Sequence, residues 1–142
     1  STFWTERIGF AAALATIKKM EEHNIQQNLI DYGTLINNGW IESAKKHALK
    51  IRISGIPPLT HIAFEYEDPL SIQTLYTQEM LQRGFLLGAS VYATYSYTDK
   101  IIDHFINNTN AVFEIIKKAT NHGNVETFLK GPVMSAGFKR LT

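Results

Sequence analysis

Lysine is the residue of this sequence best equipped for covalent chemistry. There are ten, and a lysine amine forms a Schiff base with an aldehyde once an apolar, closed site holds it deprotonated. A pyridine-aldehyde cofactor handled this way also needs a carboxylate beside its ring nitrogen. The nearest approach to that pair is Asp68, after an apolar strand, with Lys100 further on. Lys100, however, falls in the first turn of a helix with Asp99 and Asp103 as neighbours, which are hydrated surroundings. The five histidines (His23, His47, His61, His104 and His122) include no pair at i, i+4, and no H-E-x-x-H occurs, so the spacing supplies no metal site. Glu65, Glu67 and Asp68 cluster at a strand end, where a solvated turn and a helix cap explain them better than a catalytic pair. Cysteine is absent, which removes disulfides, thiolate ligands and thiol nucleophiles together. G-x-G-x-x-G, a Walker loop and G-x-S-x-G are all missing. Asn107-Asn108-Thr109 matches the glycosylation triplet but lies inside a helical pattern. No residue is assigned a catalytic or metal-binding role on these grounds.

Elements must position whatever chemistry there is, and the chain of 142 residues is long enough for one domain with a sizeable core. Fourteen basic and thirteen acidic residues leave a net charge of +1, so no electrostatic footprint for nucleic acid or an anionic membrane exists. No apolar run approaches the ~20 residues that span a bilayer. The opening residues carry neither a basic stretch nor a small-residue cleavage site, and with no cysteine the expectation is a cytoplasmic protein.

From Thr5 to Glu22 the pattern is helical, with Thr5 as cap and Ile8, Ala11, Ala12, Ala15 and Met20 on one face. Asn24 and Gln27 have the spacing of a capping box, opening a second helix to about Leu49. Its stripe is Ile25, Leu29, Tyr32, Ile36, Trp40, Ala44 and Ala48, weakened by Gly33 and Gly39. Ile51 and Ile53 then alternate with Arg52 and Ser54 as a strand, which Gly55-Ile56-Pro57-Pro58 breaks before a second strand over His61–Tyr66. The short connection predicts an antiparallel pair. Asp68-Pro69 is a cap followed by proline at the first helical position, opening a helix with Leu75, Tyr76, Met80 and Leu81 inward and Gly84 as its left-handed end. Phe85-Leu86-Leu87 reads as a short strand and Val91–Tyr97 as a polar-aromatic loop or strand. Thr98 caps a last long helix, Asp99 to Thr120, with Ile101, Ile102, Phe105, Val112, Ile115, Ile116 and Ala119 inward. A tail follows, with one helical stretch around Val125–Leu129. The predicted fold is α+β, a small antiparallel sheet covered by helices.

Three stretches carry a resemblance. Ser1-Thr2-Phe3, followed by the alanine-rich Ala11 to Ala15, resembles the junction that leads into the C-terminal domain of class III pyridoxal-phosphate aminotransferases, glutamate semialdehyde aminomutase among them. Trp4-Thr5-Glu6-Arg7 replaces the usual serine-glycine-asparagine-proline. Met80 to Ala89 resembles the family's leucine-x-x-arginine-glycine segment, and Tyr95-Ser96-Tyr97-Thr98-Asp99 stands where relatives carry a serine-leucine-alanine-histidine-threonine turn or an arginine-containing stretch.

The resemblance implies the C-terminal α+β domain of fold-type I enzymes. On this reading residues 1–22 bridge from a large domain outside the chain, residues 23–120 form the small domain, and residues 121–142 are a tail. It implies a homodimer acting on small-molecule amino donors and acceptors, with pyridoxal phosphate on a lysine upstream of Ser1. Ser1 and Thr2 would then meet the cofactor phosphate of the other subunit, a role suited to a hydroxyl and free N–H groups ahead of a helix. The chain alone would lack activity. The competing reading is a stand-alone α+β binding or interaction domain.

Overall fold

The computed structural model describes residues 6–135. Four helices, three strands and one 3₁₀ turn follow in the order α1 (Arg7–Glu22), α2 (Ile25–Lys46), β1 (Ile51–Ile56), β2 (Leu59–Phe64), α3 (Pro69–Gln82), β3 (Ser90–Tyr92), α4 (Asp99–His122) and η1 (Val125–Phe128). The expected class is the observed one, an antiparallel sheet layered against helices.

The sheet has the order β1-β2-β3, antiparallel throughout. Ile53 faces Ile62 and Ile51 faces Phe64 across the first pair, as a hairpin requires. Along β2 burial alternates: Thr60, Ile62 and Phe64 point into the core, while His61 and Ala63 face the other way. Ile51 and Ile53 are half-buried at the edge of the same core. The two prolines do not end β1 early. Pairing continues through Gly55 and Ile56, and Pro57-Pro58 occupy the turn itself, where no ladder donor is needed.

Trp40, Tyr76 and Phe113 are fully buried and come from α2, α3 and α4. Phe64 of β2 meets Tyr76 and Phe113 edge-on at ring distances of 5.7 and 5.9 Å, a favoured aromatic geometry. The sequence stripes of α2, α3 and α4 were misplaced at four positions, one of them Ala48, which lies beyond the end of α2 and is exposed. Leu81 and Ile101 are exposed rather than inward, and Phe113 takes the central place in α4 that the pattern did not give it. The two glycines of α2 are packing positions. A Cβ on Gly33 would collide with the backbone of Pro57 in the hairpin turn, and one on Gly39 would meet Ile106 of α4 at 2.6 Å.

The helix ends follow local chemistry. Asp68 accepts from the Ser71 N–H at 3.2 Å and Thr98 from the Ile101 N–H at 3.4 Å, both as their spacing predicts. The Asn24–Gln27 capping box does not form. Asn24 is left-handed with no side-chain cap bond, and the Gln27 amide donates to Asp31 instead. Only His23 and Asn24 separate α1 from α2, so the chain turns by a left-handed residue rather than by a capped start. α1 itself buries no residue; Ile8, Phe10 and Leu14 are 76%, 66% and 70% exposed. The cap expected at Thr5 lies outside the described residues.

Gly84, at φ +88°, ends α3. Its N–H donates to Leu81 O and that of Phe85 to Met80 O, both at 3.0 Å, which closes the helix and turns the chain. Arg83 folds back on Glu79 at 2.9 Å. Burial alone would push the Glu79 carboxyl up, but hydrogen bonds from Arg83 and Gln78 and the Arg83 charge hold it below its ordinary value. The expected strand at Phe85-Leu86-Leu87 does not exist: Leu87 is buried, Leu86 is 91% exposed, and the third strand forms further on at Ser90–Tyr92.

The tail is docked rather than free up to residue 135. The Gln78 side chain donates to Phe128 O at 3.0 Å and accepts from the Lys130 N–H at 2.7 Å. Further along, the Met134 N–H donates to Thr74 Oγ1 at 3.0 Å. Thr74 and Gln78 lie one turn apart on α3, so the tail runs along that helix.

Candidate functional site

The histidines lie in five separate surroundings. His23 sits beside Tyr95, His47 beside Asn110, His104 beside Phe85 and His122 beside Phe128. His61 Nδ1 meets Ser90 Oγ at 2.7 Å, linking β2 to β3 at their paired positions. Among the described residues no group of three histidine or carboxylate side chains is placed to hold a metal ion. Asp68 is occupied as a helix cap and Lys100 is exposed on α4, so these two form no site. Thr109 of the glycosylation triplet is buried inside α4.

A Schiff-base cofactor can be tested against the lysines directly. Among the described residues none is buried. Lys118 pairs with Glu114 at 2.7 Å, Lys18 with Glu22 at 3.6 Å, and Lys117, half-buried, reaches Ala48 O at 3.4 Å. None of them stands in the closed, apolar site that a Schiff-base lysine needs. The described residues therefore do not fit pyridoxal phosphate as a covalent ligand, and no catalytic step is derived through them. Ser1 and Thr2, the positions expected at a partner subunit's cofactor phosphate, lie outside the described residues.

One concave feature does stand out, a cleft of about 370 Å³ between the segment that follows α3 and the first turns of α4. The turn at Gly84 throws the chain away from α3, and Leu87 and Val91 anchor it again in the core. Ile36 and Phe105 lie at the inner side, with Leu86, Tyr97 and Ile101 at the rim. The Tyr97 hydroxyl donates to Tyr92 O at 3.2 Å. A second, smaller hollow of about 280 Å³ lies where Tyr66, Asp68 and Ile72 meet Thr120 and Val125. The larger cleft escaped the sequence reading. Its signal was the run from Tyr92 to Tyr97, aromatic and hydroxylated yet without the alternation of a strand.

No protein-family model matches the chain. A curated relative, 2'-deamino-2'-hydroxyneamine transaminase of Streptomyces kanamyceticus, is 24% identical over 110 residues, covering 74% of this chain and 28% of the relative. Among solved structures, the pyridoxal-phosphate internal aldimine form of the FumI protein of Sphingopyxis sp. MTA144 superposes with a TM-score of 0.76 at 19% identity. The match covers 85% of this chain and 30% of that one. The chain thus spans under a third of the length of either protein. Its α+β fold is that of a segment of a pyridoxal-phosphate enzyme, and its sequence is distantly related to an aminotransferase.

Proposed function

We propose that this chain is the C-terminal domain of a pyridoxal-phosphate-dependent class III aminotransferase or aminomutase, and that amino-group transfer is performed by a lysine outside it. One observation carries the reading: four-fifths or more of the chain superposes on one segment of a pyridoxal-phosphate enzyme, while an independent sequence match points to a transaminase. That no lysine among the described residues is buried fits the same division of labour.

On this proposal α1 is the bridge from the large domain, which accounts for a helix with no buried residue. Contiguous apolar surface of that kind is unusual on a soluble protein left to itself. Residues 23–120 form the small domain, the tail closes on it, and Ser1 and Thr2 meet the cofactor phosphate of a partner subunit in a homodimer. The substrates are small-molecule amines and their carbonyl counterparts. The cofactor supplies the electron sink for amino transfer; the small domain covers one side of the site.

The test is to express the whole reading frame that contains this chain, trap bound cofactor with borohydride and map the modified lysine. A single modified lysine outside residues 1–142, with amino transfer from an amine donor, is the expected result. Trapping on a lysine within these residues, or no cofactor at all, would sink the reading.

A further inference from the structure

We propose that the cleft between the Gly84–Tyr92 segment and the start of α4 binds the uncharged, hydrocarbon-bodied part of a small molecule. The inference stands on the lining alone and not on the aminotransferase reading. Its volume of about 370 Å³ lies in the range of small-ligand sites. None of the lining residues is Asp, Glu, Lys, Arg or His. A carboxylate or ammonium placed there would lose hydration and gain no countercharge, a cost of several kcal/mol. A methylene chain instead displaces water from apolar walls, at roughly 0.8 kcal/mol for each CH₂ buried.

The rim argues for an occupant of that chemistry. Leu86 is 91% exposed and Ile101 43%, although their chain neighbours Leu87 and Ile102 are buried. Their side chains stand at the mouth over an inner wall made by Ile36 and Phe105. The polar side-chain groups are hydroxyls, and two are already engaged, Ser90 with His61 and Tyr97 with Tyr92 O. Each retains acceptor capacity for one incoming hydroxyl. The complementary molecule is therefore a medium-chain alcohol.

The experiment is a methyl NMR titration of the 142-residue chain with 1-hexanol and, separately, glutarate. Hexanol should shift the methyls of Leu86, Leu87, Ile101 and Ile102 saturably, while glutarate at equal concentration leaves them in place. Ile101→Asp should weaken hexanol binding about tenfold or more. Position 101 is in the first turn of α4, where a negative charge suits the helix, so the variant should keep the Ile62 and Ile72 methyls unmoved. Four results overturn the proposal: no saturable shift, equal shifts of Leu14 and Ile17 on exposed α1, an effect of glutarate matching that of hexanol, or undiminished binding by Ile101→Asp. Shifts of the cleft methyls that grow with protein concentration and need no alcohol would overturn it too, since a second copy would then fill the cleft.

Discussion

The indole N–H of Trp40 donates to the hydroxyl of Tyr76 across 2.8 Å, and neither side chain reaches solvent. This bond ties α2 to α3 at the centre of the core, beside Phe105 on one side and Phe113 on the other. Trp40→Ala should cost about 3–5 kcal/mol, because it removes the largest buried side chain and leaves a cavity. Tyr76→Phe keeps nearly all the volume but strands a buried donor, which costs about 1–3 kcal/mol. Urea unfolding of the three proteins checks this order. A Tyr76→Phe variant as stable as the parent would show that the indole finds another acceptor.

The same tyrosine makes stability depend on alkaline pH. Burial pushes the Tyr76 hydroxyl up from 10.0 to about 12, against the lowering influence of the Thr109 and Trp40 side chains. The folded pKa is raised, so the stabilisation is fully present below the unfolded value near 10 and is lost as pH climbs toward 12. The stability gap between the parent and Tyr76→Phe should therefore narrow over that window. A gap that stays constant across it would mean Tyr76 ionises as freely in the folded state as in the unfolded one.

How much of this was legible in the sequence depended on the range of the interaction. Asp68 and Thr98 were readable as caps because a cap needs only a short side chain and an N–H three residues away. Trp40 and Ile36 were readable because a repeat of four along α2 survives any detail of what packs against it. Asn24 failed because the left-handed turn from α1 into α2 overrode a correct-looking spacing. Phe85-Leu86-Leu87 failed because three apolar residues fit a strand, a turn or a cleft wall equally well, and only a partner strand decides. The cleft was not legible, since Ile36, Leu86 and Ile101 meet only through tertiary packing. Ser1 and Thr2 rested on resemblance alone.

Ala48 ends α2 with φ +49°, a left-handed conformation that suits glycine. Its N–H donates to Lys45 O and that of Leu49 to Ala44 O, the same closure that Gly84 gives α3. The alanine Cβ costs roughly 1–2 kcal/mol in this region, offset in part by the freedom glycine would lose on folding. Ala48→Gly should raise stability by about 0.5–1 kcal/mol, read as a higher urea midpoint at unchanged slope. Gly84→Ala should lower it by a similar amount. Opposite signs from one pair of residues are the test, and equal signs would contradict the shared geometry.

Gly39 and Gly33 set helix propensity against packing. In an exposed helix Gly→Ala gains about 1 kcal/mol. At Gly39 the new Cβ would press on Ile106 at 2.6 Å, the branch of a side chain that can shift. Overpacking of this kind costs about 1–3 kcal/mol, so Gly39→Ala should be mildly destabilising. At Gly33 the obstacle is the Pro57 backbone in a stiff turn, so Gly33→Ala should be the worse of the two. Gly39→Ala with Ile106→Ala, which removes the Cγ1 in the way, should recover part of the loss, while no single side-chain change should rescue Gly33→Ala. Equal costs at both sites would show that the hairpin yields as easily as a side chain.

Gln78 holds the tail through both halves of its amide, one to Phe128 O and the other to the Lys130 N–H. Lys130 Nζ adds a bond to Gln82 Oε1 at 2.9 Å. Behind these bonds Val125, Phe128 and Leu129 pack against the core, so the clamp sets the tail's register while apolar contact supplies most of its attachment. Gln78→Ala removes both hydrogen bonds to the tail, worth about 0.5–1.5 kcal/mol each, less what water restores at this part-buried position, along with a bond to Glu79 within α3. The expected signature is local. Hydrogen exchange at the Lys130 and Met134 amides should quicken by about tenfold, the counterpart of about 1.4 kcal/mol, while the β2 amides keep their rates. Gln78→Glu retains the acceptor for the Lys130 N–H but turns a second acceptor toward Phe128 O, so it should loosen the tail as much as alanine does. If Gln78→Glu behaved like the parent, only the Lys130 bond would be contributing. If neither variant changed exchange at Lys130, the docking would rest on Phe128 and Leu129 alone.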